Sequence, residues 1–279
     1  MTERLDAGIR RQYEKARRSG NALTGDLSLD RIHEFRVETK RLRALLRLAT
    51  GIRGSHIKRK LPKNLKVLYT MAGLVRTLQL QKQAIREAAG RFRRDVPVGY
   101  LARLDDRIGI AEQMIRLYLQ TSNPCGNGKP EWHHPIHRYN VAAAVDSFID
   151  EKTQVFSLPA NSNLDDEHLH AVRKSIKDLL YVWPYFSKRN IDRALSDGLP
   201  SREKLTIAAH LLGEFHDITV RLSLLQDRSI LCCVDASDAK FLEDVKIIWD
   251  RGKAALVKKI VSDLWSVSVA PKPDMEMAV

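Results

Sequence analysis

One helical motif occurs twice in this chain, and that repeat limits the fold more than any other feature. From Ile32 to Arg47, a period of 3.6 residues per turn sorts the side chains onto two neighbouring faces. Ile32, Phe35, Thr39, Leu42, Leu46 and Ala49 make a core-facing stripe, and His33, Arg36, Lys40, Arg43 and Arg47 make a row of cations along its edge. The pattern returns 137 positions later, where His170, Arg173 and Lys177 repeat the cationic spacing and Leu169, Val172, Ile176 and Leu179 repeat the apolar one. Two copies at about half-chain separation predict an internal duplication.

The rest of the chain divides to match. Residues 3–19 read as a helix on Leu5, Ile9, Tyr13 and Ala16, ended by Gly20 and Asn21. Ser28 or Asp30 caps the motif helix, which stops near Gly51. A basic run, Arg53, Lys58, Arg59, Lys60, Lys63 and Lys66, leads into a third helix opened by Pro62 and buried through Leu65, Leu68, Ala72 and Val75. Its neighbouring face carries Arg59, Lys63, Lys66, Thr70, Gly73 and Thr77. A glycine inside a helix costs about 1 kcal/mol relative to alanine, so Gly73 signals a close approach or room for a ligand. A fourth helix spans 97–120, with Leu101, Leu104, Ile108, Met114, Ile115 and Leu117 as core. The Pro- and Gly-rich stretch 122–134 is the expected linker. Beyond it, helices are expected near 136–150, 166–187, 202–228 and 236–267, followed by a disordered tail over 268–279. No alternating strand pattern appears. The expected fold is all-α: two pseudo-repeated four-helix bundles, residues 1–121 and 135–267.

Charge restricts the partners. Forty-seven Lys and Arg against 34 Asp and Glu give +13, which points to a polyanion: nucleic acid, an anionic surface or a phosphate polymer. No apolar run suggests a secretory signal or a membrane span. Three cysteines, Cys125, Cys232 and Cys233, form no disulfide framework, which fits a reduced cytoplasmic setting, and the adjacent pair reads as core packing. His133, His134 and His137 near Glu131 invite a metal reading, but Pro135 interrupts the helix and no cysteine joins them, so neither metal nor cofactor is expected. No nucleophile–base set, phosphate loop or catalytic carboxylate pair is present, so an enzyme is not expected.

The first motif, His33-x-x-Arg36-Val37-x-x-Lys40-Arg41-Leu42-Arg43, resembles the signature of the CHAD family, the conserved histidine α-helical domain. The stretch from His170 to Tyr181 resembles the family's second signature. Leu212-Gly213-Glu214-Phe215-His216-Asp217, and more weakly Ala72-Gly73-Leu74-Val75-Arg76-Thr77, resemble a further stretch on the following helix. Thr77 stands where the family has Asp, and His216 where it has Arg; Asp178 and Leu180 occupy the places of Arg41 and Arg43. The first half therefore carries more of the charge. The resemblance implies two helical bundles around a basic channel, binding of inorganic polyphosphate, and association with polyphosphate granules. Some family members carry a fused triphosphate tunnel domain, for which no strand-rich, glutamate-rich segment exists here.

Cations at i, i+3 and i+7 on one helix repel each other unless a linear polyanion lies along them. Arginine offers forked donors to phosphate oxygens and lysine a compact charge. The expected polyphosphate-binding set is His33, Arg36, Lys40, Arg41, Arg43, Arg47, Arg59, Lys63, Lys66, His170, Arg173, Lys174 and Lys177. The alternative is a nucleic-acid-binding basic module, but the stripes carry no aromatic residue for base stacking.

Overall fold

The computed structural model describes residues 2–51, 60–124, 141–156, 164–232 and 234–265. Over these residues the chain is all-α, with ten α-helices, two short 3-10 turns and no strand. The helices are α1 (Thr2–Ala22), α2 (Leu29–Thr50), α3 (Lys63–Phe92), α4 (Val98–Ser122), α5 (Val141–Thr153), α6 (Asp166–Val182), α7 (Lys188–Ser196), α8 (Arg202–Leu224), α9 (Arg228–Leu231) and α10 (Ala236–Trp265).

Local chemistry sets most of these boundaries. The Ser28 hydroxyl caps α2 by accepting from the Arg31 amide, while Asp30 sits in the first turn. Asp165 caps α6 and Ser201 caps α8 in the same way. Pro62 and Pro97 immediately precede α3 and α4, where a missing N–H is harmless. The expected helix over 166–187 breaks after Val182 because Pro184 supplies no donor; a turn over Trp183–Tyr185 follows. Ser187 and Asn190 then form a reciprocal capping box that opens α7, a helix too short and polar to show an apolar stripe. The expected helix over 202–228 ends at Leu224, and Asp227 caps the short α9. Gly198, at φ +91°, ends the α7 connection in a backbone region open to glycine. Helix α1 continues through Gly20 and Asn21 to Ala22, carried on by the buried Leu23 packed in the core.

Helices α2, α3, α8 and α6 pack in a closed ring, each touching the next. Outside it, α1 covers α2, α4 covers α3, α5 covers α6, and α10 covers α8. Each half of the chain thus supplies two inner and two outer principal helices. The apolar clusters ignore the boundary between halves. One joins Phe35, Leu42 and Leu68 to Val172, Ile176 and Leu212; the other joins Leu78 and Leu104 to Leu225 and Phe241. All six stripe positions expected on α2 are buried, and Ala44, Leu45 and Leu48 are buried besides, because α2 also meets α5 and α6. On α4 the buried face runs through Leu101, Leu104, Ala111, Ile115 and Leu119. Met114 and Leu117, expected in the core, are 56% and 62% exposed, since neither lies on that 3.6-residue line. Cys232 is exposed rather than packed in the core. Among the described residues no helix is long and apolar enough to cross a membrane. Cys125, Cys233, the 122–134 linker beyond residue 124, the histidines near Glu131 and the 268–279 tail lie outside the described residues.

Candidate anion site

The ring of α2, α3, α8 and α6 encloses a cavity of about 410 Å³. Along α2, it is lined by His33, Arg36, Lys40, Arg43 and Arg47, the whole cationic row of the first motif. Helix α6 faces them with His170, Arg173, Lys174 and Lys177, and adds Asp178 and Tyr181. The remaining walls are Tyr69, Gly73, Arg76, Thr77, Leu80 and Gln81 from α3, and His216, Asp217, Val220 and Arg221 from α8. Nine Lys and Arg side chains thus meet two carboxylates, an excess of seven positive charges before any histidine is counted.

Three expected residues stand apart. Arg41 projects to solvent and its Nη1 lies 2.8 Å from Glu38 Oε1. Lys63 and Lys66 are exposed in the opening turn of α3, before Tyr69, its first residue in the cavity wall. Arg59 lies outside the described residues.

The guanidinium of Arg36 is held in place. Its Nη1 donates to the Tyr69 carbonyl at 2.8 Å, and its Cζ lies 4.3 Å from the centre of the Tyr69 ring. Gly73 makes room for it: a Cβ there would overlap Nη1 and come within 3.0 Å of Cζ. The sequence signal at Gly73 is therefore a close approach, by an arginine of the neighbouring helix. Arg43 shares the same ring at 5.4 Å. Arg76 donates from Nη1 to the Leu29 carbonyl at 3.0 Å, and Arg47 is ion-paired across the halves to Asp178, which is only 7% exposed. Arg221 lies 5.8 Å over the Trp249 ring.

Crowded cations in a half-buried space disfavour their own charge. Burial, then Arg36, Arg173, Arg76 and Lys177, lower Lys40 to about 8. Burial and Arg173 lower Lys177. Burial also lowers His33, with Arg76 and Lys40 adding to the effect, and lowers His170, with Lys174 and Arg173. His216 is lowered to about 4 by burial, Arg173 and His170, whose ring stacks on it at 4.9 Å. Arg173 Nε is buried with no partner among the described residues. A buried donor left unsatisfied costs about 1–3 kcal/mol, which an entering anion would recover.

Arg76, His216, Arg221 and the two tyrosines are absent from the expected set. The duplication held a signal for most of the charged ones. Arg76 and His216, Thr77 and Asp217, Leu80 and Val220, and Gln81 and Arg221 line the cavity in pairs, each separated by 140 positions. Gly73 and Gly213 keep the same separation, so extending the repeat from α2 and α6 to the following helices reaches these walls.

The family model of the CHAD domain matches residues 7–226. The chain belongs to the CHAD domain family. This CHAD chain is similar to the crystal structure of the CHAD domain from the plant Ricinus communis: TM-score 0.66, 15% identity, covering 95% of this chain and 91% of that one. It is likewise similar to PptA from Streptomyces chartreusis: TM-score 0.65, 13% identity, covering 95% of this chain and 99% of that one. At such identities the likeness is one of fold. The search of curated proteins gave no match. Among the described residues no three His, Cys, Asp or Glu side chains are grouped to hold a metal ion.

Proposed function

We propose that this CHAD protein binds inorganic polyphosphate without catalysing its turnover, in the cytoplasm and on polyphosphate granules. The observation that carries the reading is an excess of seven positive charges around one cavity, with seven of its nine cations drawn from the two copies of the repeated motif. Cations packed this closely destabilise the ligand-free fold, and a linear polyanion reverses that penalty. Phosphate oxygens match the forked donors of Arg36, Arg43 and Arg173 and the point charges of Lys40 and Lys177. The two carboxylates are engaged with cations: Asp178 is paired with Arg47, and Asp217 acts electrostatically on Arg76.

Nucleic acid is the competing polyanion. Single strands gain affinity by stacking bases on exposed rings. Of the two tyrosines in the cavity wall, Tyr69 already lies beneath Arg36 and Arg43 and Tyr181 is half-buried, which favours a ligand made of phosphate alone. The test is a competition at fixed ionic strength between long-chain polyphosphate and RNA, matched in phosphate. Polyphosphate is expected to win by at least tenfold, and Arg36→Ala with Lys40→Ala and Arg43→Ala to lose most of that affinity. Equal competition by RNA, or an unchanged triple variant, would sink the reading.

A further inference from the structure

The two carboxylates of the cavity are not scattered among its cations. Asp178 is bonded to Arg47, on the last turn of α2. Asp217 acts on Arg76, which bonds the Leu29 carbonyl at the first residue of α2. Asp178 thus stands at the last turn of α2, and Asp217 acts on the arginine bonded to its first residue, with further cations of the row between. The cavity wall that α2 supplies, from His33 to the paired Arg47, measures about 21 Å at 1.5 Å per residue. A phosphate chain advances roughly 3 Å per unit, a little less than an extended peptide residue. Length alone thus admits about seven units. Charge gives the same figure independently, since seven excess cations are neutralised by seven phosphates bearing one charge each.

We propose that the cavity is a site of finite length that recognises a run of about seven phosphates, with Asp178 and Asp217 marking its ends. The inference rests on the polyphosphate reading and adds a length to it. Phosphates beyond the run meet a carboxylate rather than a further cation. Asp178 is the stronger boundary, because it is buried and withdraws Arg47 from the ligand. Each end thereby sets where contacts stop, so a longer chain gains only by having more registers in which to bind.

The test measures affinity and its salt dependence for tripolyphosphate and for chains fractionated at five, seven, ten and fourteen phosphates. Affinity is expected to climb steeply from three to seven and then gain no more than the statistical factor for extra registers. The slope of log affinity against log salt is expected to grow with length and level off at about −5, using roughly 0.7 released counterions per neutralised phosphate as for single strands. Asp178→Asn frees Arg47, and the break is expected to move to a longer chain. The wild-type length series decides the matter even if that variant fails to fold. A slope still steepening between seven and fourteen, or no difference between three and seven, overturns the finite site while leaving polyphosphate binding intact. No binding at any length overturns both.

Discussion

Two glycines at matching places in the repeat separate packing from propensity. Replacing a helical glycine by alanine gains up to about 1 kcal/mol where the methyl has room. At Gly213 nothing lies within 4 Å of the new Cβ, so Gly213→Ala is expected to stabilise the protein by about 0.5–1 kcal/mol, read from a denaturant midpoint. At Gly73 the methyl overlaps the Arg36 guanidinium, whose position is fixed by the Tyr69 carbonyl. Gly73→Ala is expected to lose that gain and to weaken polyphosphate binding several-fold; equal behaviour of the two variants would remove the role given to Gly73. Protonation follows from the same crowding. The folded protein holds His33, His170 and His216 below their ordinary value, so the unfolded chain binds more protons as pH falls below about 6.5. Ligand-free stability is therefore expected to drop from pH 6.5 down towards about 4, the value of His216. A bound polyanion favours the protonated rings, so polyphosphate affinity is expected to rise over the same range, as titration calorimetry at several pH values would show. A flat affinity profile would place the rings outside the ligand's field.

At the scale of the helix, periodicity was a sound guide to the main buried face, though it did not show the further face of α2 that meets α5 and α6. The α2 stripe and the α3 stripe through Leu65, Leu68, Ala72 and Val75 were both legible. Periodicity failed where a proline cut an apolar pattern, as at Pro184, and where one residue of drift changed the face, as at Met114 and Leu117. It also overran the cavity along α3. Lys63 and Lys66 share the basic character of the site, but the turn that bears them precedes its wall. Lys63→Ala with Lys66→Ala is expected to lower polyphosphate affinity less than threefold, the contribution of screened surface charges, against a far larger loss at Arg36, Lys40 and Arg43. A comparable loss in a binding titration would extend the site to the start of α3.

Across the whole molecule, the sequence implied two bundles beside a channel, and the fold sets the inner helices of both halves into one ring. What the sequence could not show is which cations face one another. That depends on the crossing of α2 with α6, which brings Arg173 towards Lys40 and Asp178 to Arg47, and on that of α3 with α8, which brings Asp217 towards Arg76. Joining like charges across the ring makes stability and binding oppose each other. Lys40 stands near 8 in the free protein, so its charge at neutral pH is a burden on the fold. Lys40→Met is expected to raise ligand-free stability by about 1–2 kcal/mol while weakening polyphosphate binding. Melting curves with and without ligand measure both effects, and a variant that loses stability in the free state would show Lys40 to be a structural partner instead. The arrangement also makes occupancy visible from the protein's exterior. Arg221 lines the cavity on one side and lies over the indole of Trp249 on the other. An anion that draws the guanidinium inward would uncover that ring, so filling the cavity is expected to change the intrinsic fluorescence, and the change to vanish in Trp249→Phe.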